Sequence, residues 1–196
     1  MASPDLSARL GRNSGLLLAA GLLLGLACCP SDVREALLLR RGALVHGQVW
    51  RLWTGHWVHF GWSHLVWDVG CFVLAGVWLC ELGARRVIWQ TLVLLAPLLS
   101  LGILLIDPKI GAYGGLSGLV CAEVAVLSVW LWRTNQPTLS VLVSLALALK
   151  LGAELLTGQA AFTHFEVGAV HSVPLAHQLG TILGLMWAVF LRKKSA

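Results

Sequence analysis

Six apolar runs, near residues 14–29, 62–80, 87–106, 115–132, 138–156 and 172–191, dominate this chain. Each is long enough, with its flanks, to cross the roughly 30 Å hydrocarbon core of a bilayer as a helix. Lipid offers no water to backbone N–H and C=O groups, so a spanning segment of this length must satisfy them internally. The pattern predicts an all-α, polytopic membrane protein: a six-transmembrane-helix bundle forming a single domain over residues 1–196. Charge points the same way. Only 12% of residues are charged and 58% are hydrophobic, where a soluble domain carries about twice that charge. A cytosolic enzyme, a disordered chain and a disulfide-stapled secreted module are excluded.

The net charge of +5 does not indicate nucleic acid, because the basic residues sit in short clusters between the apolar runs. Counted by side, Arg9, Arg12, Arg85, Arg86, Arg133, Arg192, Lys193 and Lys194 oppose Arg34, Arg40, Arg41, Arg51 and Lys109. The positive-inside rule then places both termini in the cytoplasm. Arg9 and Arg12 before an apolar stretch ending at Cys28 imitate a secretory signal. Gly25 is poorly placed for cleavage and five more runs follow, so an uncleaved first span is expected. Cys28, Cys29, Cys71, Cys80 and Cys121 show no metal-type spacing and read as small packing residues.

The longest connection, Pro30 to Gly61, holds Trp50, Trp53 and Trp57, with Trp62 just beyond it. Indole favours the headgroup boundary, so this segment is expected to lie partly in the interface. Pro30, Ser31 and Asp32 read as a break and a helix cap, with a short amphipathic helix over Asp32 to Leu39. Asp107-Pro108 reads as a turn. The loop from Thr157 to Ser172, with two glycines, fits either a mobile lid or an ordinary connection.

Polar groups at membrane depth are costly, and this chain has few. Ser117 opens span four within Gly114-Gly115-Leu116-Ser117-Gly118. A helix start exposes unpaired N–H groups that can stabilise an oxyanion. Span six carries His177 three residues before Gly180, and Gly180 with Gly184 forms a GxxxG face for close helix approach. If span four packs there, His177 Nε2 reaches Ser117 Oγ as a general base to a nucleophile. Simple packing by GxxxG and a hydrogen-bonded core histidine is the plainer alternative. His64 and Asp68 are four apart on one face of span two, as a pocket lining or a structural pair. Zinc through His56, His59 and His64 is a third reading without a strong motif. Glu123 reads as structural support within the bundle. Lys150 and Glu154, four apart in span five, read as an intrahelical pair that lowers burial cost, or as a lysine that snorkels outward or meets a substrate's charge.

Taken together these elements resemble the rhomboid family of intramembrane serine proteases. The match runs through Trp50-Arg51 with Thr54, His59, His64 and position 68, Gly115-Leu116-Ser117-Gly118, and Ala176-His177 with Gly180 and Gly184. The resemblance implies Ser117 as nucleophile and His177 as base, a dyad without a third carboxylate. It implies an oxyanion site from His64, the side chain at 68 and the Ser117 N–H, with Gly115, Leu116 and His59 supporting it. Trp50-Arg51 would be structural. No cofactor and no metal are implied.

Two positions depart from the family pattern. Asp68 stands where Asn is usual; a carboxylate would repel an oxyanion, whereas a protonated acid would donate to it. Cys121 stands where many relatives place a Tyr against the histidine ring. The chain's compactness resembles the rhombosortase branch, whose substrates would carry a C-terminal Gly-Gly motif, a hydrophobic helix and a basic tail. The expected partners are the lipid bilayer and membrane-anchored protein substrates. The expected location is a bacterial inner membrane with the active site near the periplasmic face. A non-catalytic rhomboid-like protein that binds membrane helices is the competing class. Oligomeric state is not legible.

Overall fold

The computed structural model describes residues 6–160 and 173–191. The first helix, α1 (Leu6–Ala27), is followed by a connection holding α2 (Ser31–Leu37), β1 (Leu39–Arg40), α3 (Arg41–Val45), α4 (Arg51–Thr54) and a 3-10 turn (Gly55–Trp57). Then come α5 (Trp62–Glu81), α6 (Arg85–Gln90), a π-helical turn (Thr91–Leu95), α7 (Ala96–Ile106), β2 (Ala112–Tyr113), α8 (Ser117–Arg133), α9 (Pro137–Thr157) and α10 (Pro174–Phe190). Among the described residues, Trp62–Glu81, Arg85–Ile106 and Pro137–Thr157 are long and apolar enough to cross a membrane, and α10 is a shorter apolar helix. The class is therefore an all-α membrane protein. The lid proposed beyond residue 160 and the basic cluster from Arg192 onward lie outside the described residues.

Local chemistry sets the element ends. Pro137 and Pro174 open α9 and α10, where a missing N–H costs nothing. Asn135 takes a left-handed φ of 62° in the tight α8–α9 turn, a conformation Asn tolerates. α1 begins well before residue 14, because the polar stretch ahead of the apolar run is also helical; Arg12 there pairs with Glu81 at the far end of α5. α2 starts without a side-chain cap, so the predicted capping role of Ser31 or Asp32 is not realised. It also stops at Leu37 rather than Leu39, because Leu39 and Arg40 pair antiparallel with Tyr113 and Ala112.

One helix irregularity has a clear cause. Pro97 has no N–H for the Val93 carbonyl one turn back, and its ring crowds that oxygen. The helix widens into a π turn over Thr91–Leu95. The Val93 carbonyl accepts instead from the Trp53 indole N–H, 2.9 Å away. This ties the α2–α4 connection to the bundle. Trp50, Trp53, Trp57 and Trp62 all keep exposed surface.

α8 lies at the centre, between α5, α9 and α10, with Leu119, Ala122, Ala125, Val126 and Leu131 almost fully buried. Its contact with α10 is made by backbone. A Cβ on Gly184 would lie 2.3 Å from the Ala122 carbonyl oxygen, and Gly118 faces the Ala176 carbonyl in the same way. Small residues on both helices let the main chains touch, and dispersion then acts over the whole seam. The register, 118 against 180 and 122 against 184, makes the two helices parallel. α9 packs more loosely: 11% of its most apolar window is buried, against 44% for α5.

Candidate active site

The parallel seam brings the first residue of α8 beside the first turn of α10. Ser117 Oγ lies 2.8 Å from His177 Nε2. His177 is 5% exposed. Both side chains line a cavity of about 590 Å³ bounded by α5, α8, α9 and α10, which His64, Asp68, Cys121 and Lys150 also line. Because α8 starts at Ser117, the N–H groups of its first turn have no intrahelical acceptor; the first closing bond runs from Val120 N–H to the Leu116 carbonyl.

The segment ahead of the serine is fastened on several sides. Gly115 N–H donates to the Gly55 carbonyl at 3.2 Å, and Tyr113 O–H donates to the Gly115 carbonyl at 3.0 Å. Leu116 N–H donates to His59 Nε2 at 3.3 Å. Gly115 has φ +124°, and a Cβ there would sit 2.6 Å from His64 Cε1. Only glycine permits both that backbone and that approach of the imidazole.

His64 and Asp68 share one face of α5, as their spacing requires. Asp68 Oδ2 lies 3.1 Å from His64 Nε2 and 3.1 Å from His59 Nε2. All three residues are buried. His59 Nδ1–H donates to the Trp57 carbonyl at 3.2 Å, which leaves Nε2 as an acceptor. Among the described residues, His59, His64 and Asp68 are the group whose ligand atoms converge within 4.8 Å. The set His56, His59 and His64 is not assembled. His56 points away, donating through Nε2 to the Ala96 carbonyl at 3.0 Å and to Ser100 Oγ at 2.9 Å. Burial lowers the His56 pKa to about 4, so the ring is neutral at pH 7 and acts as a cross-brace to α7.

Arg51 is buried, and its guanidinium donates to the Glu35 carbonyl at 2.7 Å, the Leu38 carbonyl and Gln48 Oε1. Thr54 Oγ1 donates to the Leu37 carbonyl at 2.7 Å. Trp50 Nε1 donates to the Ala36 carbonyl at 3.4 Å. These bonds hold α2 against α4 and lie away from the cavity. Gly180 and Gly184 sit on the α8 seam. Glu123 is buried where α1, α5 and α8 meet, near Leu16 and Gly76, and its Oε1 finds no hydrogen-bond partner among the described residues. No aromatic ring stacks on His177 among the described residues; Cys121 and Leu147 form the adjoining apolar wall.

Sequence reasoning missed one neighbour of His177. Glu154 Oε2 lies 2.7 Å from His177 Nδ1, on the side of the ring opposite Ser117. Lys150 Nζ donates to Glu154 Oε1 at 2.6 Å and lies 3.0 Å from His177 Nδ1. The intrahelical Lys150–Glu154 pair is present, and it continues across to α10. The available signal was the depth of the pair, near the end of span five that leads to span six.

A comparison with models of protein families matches residues 46–194 to the Rhomboid domain. A search of curated proteins finds no match.

Proposed function

Because the chain belongs to the rhomboid family, whose members are generally intramembrane serine proteases, we propose that it is a serine endopeptidase using Ser117 and His177. The observation that carries this reading is the 2.8 Å approach of Ser117 Oγ to His177 Nε2 at the wall of a cavity between the helices. His177 takes the hydroxyl proton as Oγ attacks a peptide carbonyl, then returns it to the leaving amine. Water, activated by the same imidazole, hydrolyses the acyl-enzyme. The oxyanion forms beside the α8 N-terminus, where the Ser117 N–H and the positive end of the helix stabilise it. His64, pressed against Gly115, supplies the facing side-chain donor.

Asp68 fits this scheme as a proton-bearing acid. His59 Nε2 already accepts from Leu116 N–H, so an oxygen 3.1 Å away meets that nitrogen favourably when a proton lies between them. A neutral, hydrogen-bonded Asp68 would not repel the oxyanion.

The substrates are membrane-anchored proteins. Their helices must unwind locally to expose a scissile carbonyl, which favours Gly or other weak helix formers at the cut. The rhombosortase-like reading narrows this to C-terminal Gly-Gly anchors. The distribution of Lys and Arg supports cytoplasmic termini in a six-span bundle, with the cut near the periplasmic face of a bacterial inner membrane.

The test is labelling of Ser117 by a fluorophosphonate probe in the membrane-inserted protein, read by mass spectrometry. Wild type is expected to label, while Ser117→Ala and His177→Ala insert normally and do not. An unlabelled Ser117 in the wild type would favour the helix-binding class. Single-span reporters with and without a Gly-Gly anchor test the narrower substrate.

A further inference from the structure

We propose that Glu154, held ionised by Lys150, is a positioning residue for His177, so that the site works as a Ser117–His177–Glu154 relay rather than an isolated pair. The proposal rests on the serine-peptidase reading of the same site.

The tautomer of His177 decides whether it can serve as the base. Neutral His177 carries one ring proton. A general base needs its lone pair on Nε2, facing the Ser117 hydroxyl, and therefore its proton on Nδ1. Nδ1 faces two groups of opposite demand. Glu154 Oε2, at 2.7 Å, is acceptor-only when ionised and selects the Nδ1–H form. Lys150 Nζ, at 3.0 Å, is donor-only and would select a bare Nδ1. That second form puts a proton on Nε2, where it blocks deprotonation of Ser117.

Distance and burial decide the competition. The carboxylate contact is shorter, and the Glu154 side chain is fully buried. Lys150 already has an acceptor at 2.6 Å in Glu154 Oε1, and its side chain, 22% exposed, is not sealed off from others. Glu154 thus lies between two donors, one at each oxygen: Lys150 on Oε1 and His177 on Oε2. Ionic hydrogen bonds of this kind are strong where water is excluded.

Lys150 has a second consequence. A fully buried carboxyl without a cation tends to hold its proton. A protonated Glu154 would be a donor itself and would lose its selectivity for Nδ1–H. Lys150 keeps the acid ionised, and Glu154 in turn offsets the repulsion between the ammonium and the imidazolium that forms during reaction. The two residues sit four apart on α9, so one helical face delivers the ordered pair to α10.

The experiment uses the full chain reconstituted in phosphatidylethanolamine–phosphatidylglycerol vesicles. It measures the second-order rate of fluorophosphonate labelling at Ser117 from pH 5 to 9. Among the described residues, the titratable groups around His177 are Tyr113 on β2, Cys121 on α8, Lys150 and Glu154 on α9, and His64, Asp68 and Cys71 across the cavity on α5. Glu154→Gln keeps the volume and removes the charge. It is expected to slow labelling by about a hundredfold or more at pH 7.5 and to move the acid limb of the profile to lower pH. Lys150→Met removes the cation that keeps Glu154 ionised, so it is expected to slow labelling in the same direction as Glu154→Gln. A Glu154→Gln protein with wild-type rate and an unmoved profile overturns the proposal while leaving Ser117 reactive. Absence of labelling in the wild type overturns the serine-peptidase reading on which it rests.

A measurement on the unmutated protein covers the case in which Glu154→Gln does not fold. Nitrogen-15 shifts of the histidines, with His177→Ala for assignment, report the tautomer directly. The Nδ1–H form is expected at His177; an Nε2–H form overturns the proposal.

Discussion

Gly180 meets Gly118 so closely that a Cβ built on Gly180 would lie 1.9 Å from the Gly118 carbonyl oxygen. This contact stands one residue from Ser117 and three from His177. The Ser117–His177 distance is therefore set by two main chains in contact.

Gly180→Ala is expected to force α10 away from α8. Overpacking at a backbone contact costs about 1–3 kcal/mol, and an ångström of added separation breaks the hydrogen bond between Ser117 and His177. Thermal unfolding in detergent should show the destabilisation, and fluorophosphonate labelling should fall by about a hundredfold. A Gly180→Ala protein with wild-type labelling would show that the seam does not set the distance.

Asp68→Asn should preserve or raise activity. The amide matches the carboxyl in shape and can donate to a ring nitrogen of His59 or His64, the role assigned to the protonated acid. Labelling within about threefold of wild type is the expected result at pH 7.5. A loss beyond tenfold, about 1.4 kcal/mol, would show that the carboxyl itself is required.

Chelation should leave the protein unchanged. His59 Nε2, a ligand atom of the converging His59–His64–Asp68 group, already accepts the Leu116 N–H. A cation would have to displace that bond and the contact between His59 Nε2 and Asp68 Oδ2. Labelling before and after EDTA treatment is expected to agree, with no stoichiometric metal by elemental analysis. Bound zinc together with loss of labelling on its removal would reassign these residues as ligands.

Stability should fall as the solution is acidified through the range governed by His56. Its folded pKa is lowered by burial to about 4, from the ordinary histidine value of 6.5. Between those values the unfolded chain binds the extra proton, so stability rises with pH across the window and is lost as pH falls from about 6.5 toward 4. The full loss from this group is about 3 kcal/mol. Melting temperatures in detergent at pH 7 and pH 5 should show the drop, and His56→Gln should flatten it. An unchanged slope in that variant would assign the acid sensitivity to another group.

The apolar runs marked where long helices lie. The run predicted at 62–80 meets α5 at Trp62–Glu81, and the run at 138–156 meets α9 at Pro137–Thr157. The start of α1 was not legible, because Ser7 to Asn13 is polar and helicity there leaves no hydrophobic trace. The π turn was hidden too: it answers to Pro97 and to an indole that arrives from another part of the chain. At the site, glycine spacing named Ser117 and His177 as neighbours to consider. Glu154 escaped because its partner across the bundle is 23 residues away. Its local partner, Lys150, already accounted for a charge in an apolar span. Pairing within a helix can be read from spacing; pairing between helices needs their rotation about each axis, which a single sequence does not encode.

The short ladder between Leu39–Arg40 and Ala112–Tyr113 has a bearing on where this protein can be cut for study. Leu39 and Arg40 precede residue 46, where the family match begins, yet they clamp the stretch that leads into Ser117. A fragment trimmed to residue 46 would also discard the α2 carbonyls that Arg51 and Thr54 grip. The smallest piece that keeps these contacts is thus larger than the matched one, and its upstream residues act as a splint for the segment ahead of Ser117.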